Sequence, residues 1–338
     1  MPNEALPVLV TGGAGYIGSH VCKALADAGF RPVTYDNLSH GHRWAVRWGP
    51  FEQGDLAHIS KLEDVVRRYQ PIAVIHLAGS IAAGESVVRP ARYYSNNVMN
   101  MLGLLGVMRR AGMSRLVFSS SAAVYGEPQW TPMSEEHPQA PVNAYGASKM
   151  MCERILQDFA TAYGIRSVSL RYFNAAGADA DAGIGEAHRD ETHLVPLVLE
   201  VAAGRRSHAV VFGTDYDTKD GTCIRDYVHV SDLAAAHLAA LKFLGQAAGA
   251  HAFNLGSGTG ASVWEVIETA RAVTGCAIPV KTQPRRPGDP AILLADPSKA
   301  KHELGWRPAY PHLEQQIASA WAWHNQDIAR AVKNVRRA

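Results

Sequence analysis

The chain has 338 residues, 47% of them apolar, with a formal net charge of +2 and four cysteines. No apolar run approaches the ~20 residues of a membrane span, and the charge balance offers nothing to nucleic acid. The length suits a large core, built as one domain or two interleaved ones. Cys22, Cys152, Cys223 and Cys276 have no paired spacing, so reduced thiols and a cytoplasmic setting are expected. No leader peptide is expected, because the first functional loop begins at Thr11.

The run Leu6-Pro7-Val8-Leu9-Val10 reads as a buried strand entering Thr11-Gly12-Gly13-Ala14-Gly15-Tyr16-Ile17-Gly18. Gly12, Gly15 and Gly18 permit a tight turn, close approach to a pyrophosphate and close packing of the next helix, predicted over 16–28. The positive N-terminus of that helix would face the phosphates. A second strand, 32–35, ends at Asp36. An acid about 20 positions beyond the glycines accepts a ribose 2′-hydroxyl and repels a 2′-phosphate, so NAD is expected rather than NADP.

Strand and helix then alternate as in a doubly wound sheet. Residues 51–54 lead to Asp55 and Leu56, expected near an adenine. Residues 72–79 read as a buried strand with a small-residue exit, and 90–111 as one long helix with Asn96 and Asn97 near its start. The strand 116–118 delivers Ser119-Ser120-Ser121 to its C-terminal end, the edge where open parallel sheets bind ligands. In Asn143-Ala144-Tyr145-Gly146-Ala147-Ser148-Lys149, the tyrosine and lysine lie one turn apart on one helix face. A phenol titrates near ~10 and a neighbouring ammonium lowers that value, which makes Tyr145 a candidate general acid/base.

Beyond Arg171 the alternation breaks down. Residues 174–190 read as irregular loop, 195–203 as a short helix, 210–212 as a strand and 213–221 as a polar loop. Segments 226–244 and 252–255 read as a return to the main sheet, followed by helices at 263–274 and 313–323 around a loop at 284–290. The expected organisation is a dinucleotide-binding unit over 1–173, with returning segments at about 226–256, and a mainly substrate-binding lobe over 174–338. Arg225, Arg285 and Arg286 are candidates to clamp a second pyrophosphate by paired hydrogen bonds. The 15 histidines show no His-x-x-x-His spacing, so no metal is expected. The basic tail 330–337 reads as a solvated helix end.

Together these motifs resemble the extended short-chain dehydrogenase/reductase family, and within it the UDP-glucose 4-epimerases. The resemblance runs from Val8 to about Trp323. It rests on the glycine loop, Asp36-Asn37-Leu38, Ala83-Gly84-Glu85-Ser86-Val87, Asn96-Asn97-Val98, the stretch from Ser119 to Gly126 and the Tyr145 segment. The more specific carriers are Leu170-Arg171-Tyr172-Phe173-Asn174-Ala175-Ala176-Gly177 and the stretch from Asp220 to Val230, joined by Pro284-Arg285-Arg286-Pro287-Gly288-Asp289.

The resemblance implies a Rossmann-like α/β fold with a smaller discontinuous C-terminal lobe, and a homodimer paired through the helices that begin near Pro90 and Tyr145. It implies catalysis by Ser121, Tyr145 and Lys149. Cofactor contacts are expected at Gly12, Gly15, Tyr16, Ile17, Gly18, Asp36, Asn37, Asp55, Leu56, Leu77, Ala78, Gly79, Asn96, Ser119, Tyr172 and Phe173, with Tyr145 and Lys149 shared. A UDP-sugar would meet Asn174, His193, Leu194, Val210, Phe212, Arg225, Tyr227, Arg286, Asp289 and Leu293, besides Ser121 and Tyr145. The implied reaction interconverts UDP-glucose and UDP-galactose: C4 is oxidised, the 4-keto sugar rotates, and the hydride returns to its other face. Ala122 and Ala123 stand where the related dehydratases carry an acidic pair, which disfavours dehydration. Ile81 stands where the family often has a lysine against the cofactor phosphates. Two alternatives remain open: 4-epimerisation of UDP-N-acetylhexosamine, UDP-glucuronate or UDP-xylose, or a catalytically silent NAD-binding sensor.

Overall fold

The computed structural model describes residues 5–286 and 288–326. The basic tail 330–337 and Pro287 of the proline-arginine loop lie outside the described residues.

Seven parallel strands form the central sheet. From one edge to the other they are Ala250–Leu255, Arg166–Tyr172, Arg115–Ser119, Ala73–His76, Pro7–Thr11, Arg31–Asp36 and Phe51–Gln53. Both faces of this sheet are apolar, because helices cover both. The pleat divides the strand residues between two cores. Val8, Val10, Ile75, Val117 and Val168 join the core beneath the helices Tyr16–Asp27 and Val230–Phe243. Leu9, Val74, Leu116 and Phe118 join the opposite core, with the helices Ile59–Tyr69, Asn100–Arg110 and Ala144–Tyr163. The expected Rossmann-like α/β sheet is therefore present.

A third core gathers the helices Leu194–Ala202, Val263–Thr274 and Leu313–His324. Small sheets flank it: Ala209–Phe212 pairs with Val280–Gln283, and Ile224–Arg225 lies between Ala261–Ser262 and Ile292–Leu293. Ser262 and Glu265 close a reciprocal capping box at the start of Val263–Thr274.

The observed course departs from the sequence expectation in three places. Asn174–Ala176 is not loop but a short strand. Its partner is Tyr227–His229, so that segment forms a separate two-stranded sheet rather than rejoining the main one. The main-sheet edge beside Arg166–Tyr172 is already taken by Ala250–Leu255. Finally, the long helix over 90–111 is interrupted by a π-helical turn, Tyr94–Met99. Consecutive residues of an α-helix diverge by about 100°, whereas this wider turn lets Asn96 and Asn97 both reach Ser80.

Candidate active site

The C-terminal ends of the central strands open into a cleft of about 520 Å³. One wall is the glycine loop. Gly12 has a positive φ of 74°, and a Cβ there would meet the Ala78 nitrogen at 2.6 Å. A Cβ on Gly18 would lie 2.1 Å from the Gly12 carbonyl oxygen, so only glycine lets the helix sit this close to the loop. That helix, Tyr16–Asp27, has Gly15 as its N-cap and no side-chain cap, which leaves its first N–H groups to the cleft. Asp36 ends its strand with Oδ1 accepting from the Leu38 N–H at 2.8 Å and Oδ2 from the Ala14 N–H at 3.1 Å. Burial raises its carboxyl above the usual range, and these two N–H donors oppose the rise. Asn37 donates to Asp55 at 2.8 Å across the next strand end.

The residues present fit NAD. An uncapped helix N-terminus behind a glycine cradle suits a pyrophosphate, and an acid at the second strand's end suits a ribose diol. Gly12, Gly15, Tyr16, Ile17, Gly18, Asp36, Asn37, Asp55, Leu56, Leu77, Ala78, Gly79, Asn96, Ser119, Tyr172 and Phe173 all line this one cleft. Ile81 lines it too and is 45% exposed.

Ser121 and Tyr145 meet at the cleft floor. Ser121 is extended and caps a short turn, its Oγ accepting from the Ala123 N–H at 3.1 Å. Asn143 caps the helix Ala144–Tyr163 by accepting from the Gly146 N–H at 2.9 Å. Lys149 follows one turn later and is buried, its Nζ donating to the Ser119 carbonyl at 2.7 Å and lying 5.9 Å from the centre of the Tyr145 ring. Burial pushes the Lys149 ammonium down to about 8. The Tyr145 phenol is raised by burial, and the hydrogen bond from Ser121 opposes that rise. The sequence expectation credited Lys149 with lowering the phenol; in the chain alone Ser121 does so.

Support for this pair reaches well outside the motifs. Asn97 accepts from the Ser80 N–H at 2.8 Å and donates to Ser148 Oγ at 2.9 Å, tying the helix Ala144–Tyr163 to the strand exit. Beneath it, Arg171 is paired with Glu153 at 2.5 Å and donates to the Tyr125 hydroxyl at 2.9 Å, all buried. The Ser119 and Tyr172 hydroxyls bond to each other. The sequence marks Asn97 as part of the Asn96-Asn97-Val98 motif but gives it no role, because that role depends on the π-helical turn. The wall also includes His40, Arg92, Glu186 and His188, which the motifs did not single out.

The residues expected to meet the sugar nucleotide do not all share this cleft. Asn174 and His193 line it. Phe212, Arg225, Arg286 and Asp289 form a separate group: Arg286 lies over the Phe212 ring at 4.9 Å, and Asp289 pairs with Arg286 at 2.9 Å and Arg225 at 3.4 Å. Val210 shares the strand Ala209–Phe212 with Phe212, while Tyr227 and Leu194 pack into the third core. Arg285 turns aside to Asp215 and stacks over Tyr216, so it is not aligned with Arg286 as a clamp. Leu293 packs against the small core of Val124, Tyr125 and Met133, as do Phe173 and Ala122. Glu186, His188, Glu191 and His193 converge on the cleft wall as two ion pairs, His188 with Glu186 and His193 with Glu191.

A doubly wound parallel sheet with a glycine cradle, and a Tyr-x-x-x-Lys helix beside a strand-end serine, defines an NAD-dependent enzyme of the Rossmann class. The chain belongs to the NAD dependent epimerase/dehydratase family, which it matches over residues 8–256. It is 49% identical over 319 residues to the UDP-glucose 4-epimerase of Rhizobium meliloti, covering 94% of this chain and 97% of that one. Among solved structures it is similar to UDP-glucose 4-epimerase from Brucella ovis in complex with NAD, at TM-score 0.91 and 49% identity, over 94% of this chain and 98% of that. The enzyme from Bifidobacterium longum in complex with NAD+ and UDP gives TM-score 0.90 and 39% identity, over 95% of this chain and 99% of that.

Proposed function

We propose that this chain is a UDP-glucose 4-epimerase, interconverting UDP-glucose and UDP-galactose through a 4-keto sugar. The observation that carries the reading is Ser121 and Tyr145 together in the lining of the dinucleotide cleft, with buried Lys149 behind them, bonded to the Ser119 carbonyl and 5.9 Å from the centre of the Tyr145 ring. Relatives of that name, nearly half identical over almost the full chain, support it.

When bound, NAD supplies reversible hydride chemistry at its nicotinamide. The chain supplies the proton chemistry and the grip. Tyr145 takes the proton from the sugar O4 and later returns it, and Ser121 orients that hydroxyl and favours the phenolate. Lys149 holds a positive charge beneath the ring and is placed to meet the nicotinamide ribose. Asn174 and His193 meet the substrate from the cleft, while Arg225 and Arg286 grip the diphosphate, releasing Asp289 to do so. A sugar held chiefly by its nucleotide is free to turn over between the two hydride steps. Neither Ala122 nor Ala123 can move a proton, so elimination of water has no acid or base at those positions.

In this reading the dinucleotide belongs to residues 1–173 with the returning segments at about 226–256, and the sugar nucleotide to the remaining lobe. We further infer a homodimer. Its support is apolar surface on the helices Ala83–Val88, Tyr94–Met99 and Ala144–Tyr163, where Val88 is 76%, Met99 66% and Met151 40% exposed. Burying such a patch is the ordinary gain of a subunit interface. A cytoplasmic site accords with free cysteines, three of them buried. No helix among the described residues is long and apolar enough to cross a membrane.

Incubation of the purified protein with UDP-galactose, followed by separation of the nucleotide sugars, tests the activity. UDP-glucose should appear without added reductant. Unchanged UDP-galactose, with NAD bound, would favour the silent sensor.

A further inference from the structure

Ser119, Ser120 and Ser121 follow one another at the end of the strand Arg115–Ser119, and the proposed reaction leaves the middle one unused. Side chains alternate along an extended chain: Ser119 and Ser121 line the cleft, while the buried Ser120 turns away from it. There its Oγ donates to Glu153 Oε1 at 2.5 Å. Glu153 lies on the helix Ala144–Tyr163, four residues beyond Lys149 and eight beyond Tyr145, so the three share one face. Each reaches one of the serines: Tyr145 bonds to Ser121, Lys149 to the Ser119 carbonyl and Glu153 to Ser120. We propose that Glu153 is a positioning residue, which through Ser120 seats the helix carrying Tyr145 and Lys149 on the serine run and serves Lys149 as counter-charge. The inference rests on the epimerase reading and adds a residue to its machinery.

Both ends of the Ser120–Glu153 bond are themselves fixed. Arg171 donates to the carboxylate through Nε at 3.0 Å and Nη2 at 2.5 Å, and Gln139 donates at 3.0 Å. Arg171 also donates to the Tyr125 hydroxyl at 2.9 Å, and that hydroxyl donates to Asn254 Oδ1 at 2.7 Å. On the other side, the Ser120 N–H donates to the Leu170 carbonyl at 2.9 Å. Stability alone gives no reason for a carboxylate here, since a buried ion pair is commonly matched by a hydrophobic pair of similar volume. An apolar pair could neither accept from Ser120 nor hold a charge one turn from Lys149.

That charge acts on a crowded ammonium. Burial pushes Lys149 down to about 8, and Cys152 and Glu153 oppose the fall. Burial also pushes the Cys152 thiol up to about 12 and the His76 imidazole down to about 3, so both are neutral at pH 7. The Tyr145 and Tyr172 phenols are raised, again chiefly by burial, and the Phe118 ring 4.8 Å from Nζ carries no charge. Among these groups Glu153 is the anion, with Arg171 as its partner. Its removal would leave Arg171 unopposed, which disfavours the Lys149 ammonium further.

The test uses NAD-loaded protein. Ser120→Ala cuts the tie while leaving Glu153 paired with Arg171, so the fold should hold. It should lower kcat for UDP-galactose by ~10-fold or more, the scale of a small misplacement of reacting groups, with KM and bound NAD at parental values. In Glu153→Gln the Lys149 titration, followed by nitrogen NMR and assigned with Lys149→Met, should move to lower pH, and the alkaline limb of kcat with it. Parental kcat in Ser120→Ala, or an unmoved Lys149 titration in folded Glu153→Gln, overturns the proposal; if Glu153→Gln does not fold, Ser120→Ala decides it. A parent that leaves UDP-galactose unchanged would instead defeat the epimerase reading, and the Lys149 titration needs no turnover.

Discussion

Gly146 sits against Ala123 so closely that a Cβ built on it would lie 2.3 Å from the Ala123 carbonyl oxygen. That approach seats the start of the Tyr145 helix on the turn that follows Ser121. An added methyl must push helix and turn apart, and overpacking of this kind costs ~1–3 kcal/mol. Gly146→Ala is therefore expected to lower Tm and to reduce kcat more than it reduces NAD binding. Calorimetry and initial rates check this; an unchanged kcat would mean the contact does not set the Ser121–Tyr145 geometry.

Tyr145→Phe should retain the fold and the bound NAD yet lose turnover by ~10² or more, the scale of a general acid/base contribution. Ser121→Ala makes a finer test. It removes the hydrogen bond that opposes the burial-driven rise of the phenol, so the acidic limb of kcat/KM should move to higher pH. A lower rate with an unmoved limb would leave Ser121 with an orienting role only.

Lys149 gives a stability prediction with a definite sign. Its ammonium falls from an ordinary 10.5 to about 8 in the folded chain, because burial penalises the charge. Between those values the unfolded chain holds more protons than the folded one, so this residue makes stability rise with pH across that window. Below about 8 its penalty is present in full. Lys149→Met should therefore flatten the rise, and should be more stable than the parent at neutral pH while turning over poorly. Urea unfolding at several pH values measures both; parallel curves for parent and variant would contradict it.

The sheet was legible because its signals are local. Val8, Leu9 and Val10 are apolar in succession since helices cover both faces, and the glycines that follow have positions dictated by close approach. The Tyr145–Lys149 spacing was equally plain, since helical period alone puts both on one face. What stayed hidden depends on contacts between distant segments. The pairing of Asn174–Ala176 with Tyr227–His229 joins stretches too short to show a period of their own. Asn97 reaches Ser80 through a π-helical turn that no residue pattern announces, and His188 meets Glu186 through the bend of one loop.

Cofactor choice should follow Asp36. Its carboxylate is fixed by the Leu38 and Ala14 N–H groups and would face a 2′-phosphate with like charge. Protein purified and then denatured should release NAD(H) and not NADP(H), as read by enzymatic cycling assays. Ile81 offers no cation to the phosphates, so Ile81→Lys is expected to slow cofactor loss on dilution. Release of NADP(H) would refute the role given to Asp36.

Leu293 sets the expected substrate width. It lies on the short strand Ile292–Leu293 and packs against the buried cluster Val124, Tyr125 and Met133, which follows Ser121 in the chain and also receives Phe173, Ala122 and Met150. An N-acetyl group on the sugar needs both space and a hydrogen-bond partner, and a buried unpaired amide costs ~1–3 kcal/mol. Leucine supplies no partner, and its apolar neighbours supply none in its place. UDP-glucose and UDP-galactose should thus be preferred, with N-acetylhexosamines handled at least ~10-fold less efficiently, a ratio that ~1.4 kcal/mol produces. Leu293→Ser should narrow the gap by clearing volume and adding a hydroxyl. Comparison of kcat/KM for UDP-galactose and UDP-N-acetylgalactosamine in parent and variant decides the matter: equal values in the parent, or an unchanged ratio in the variant, would remove Leu293 as the determinant.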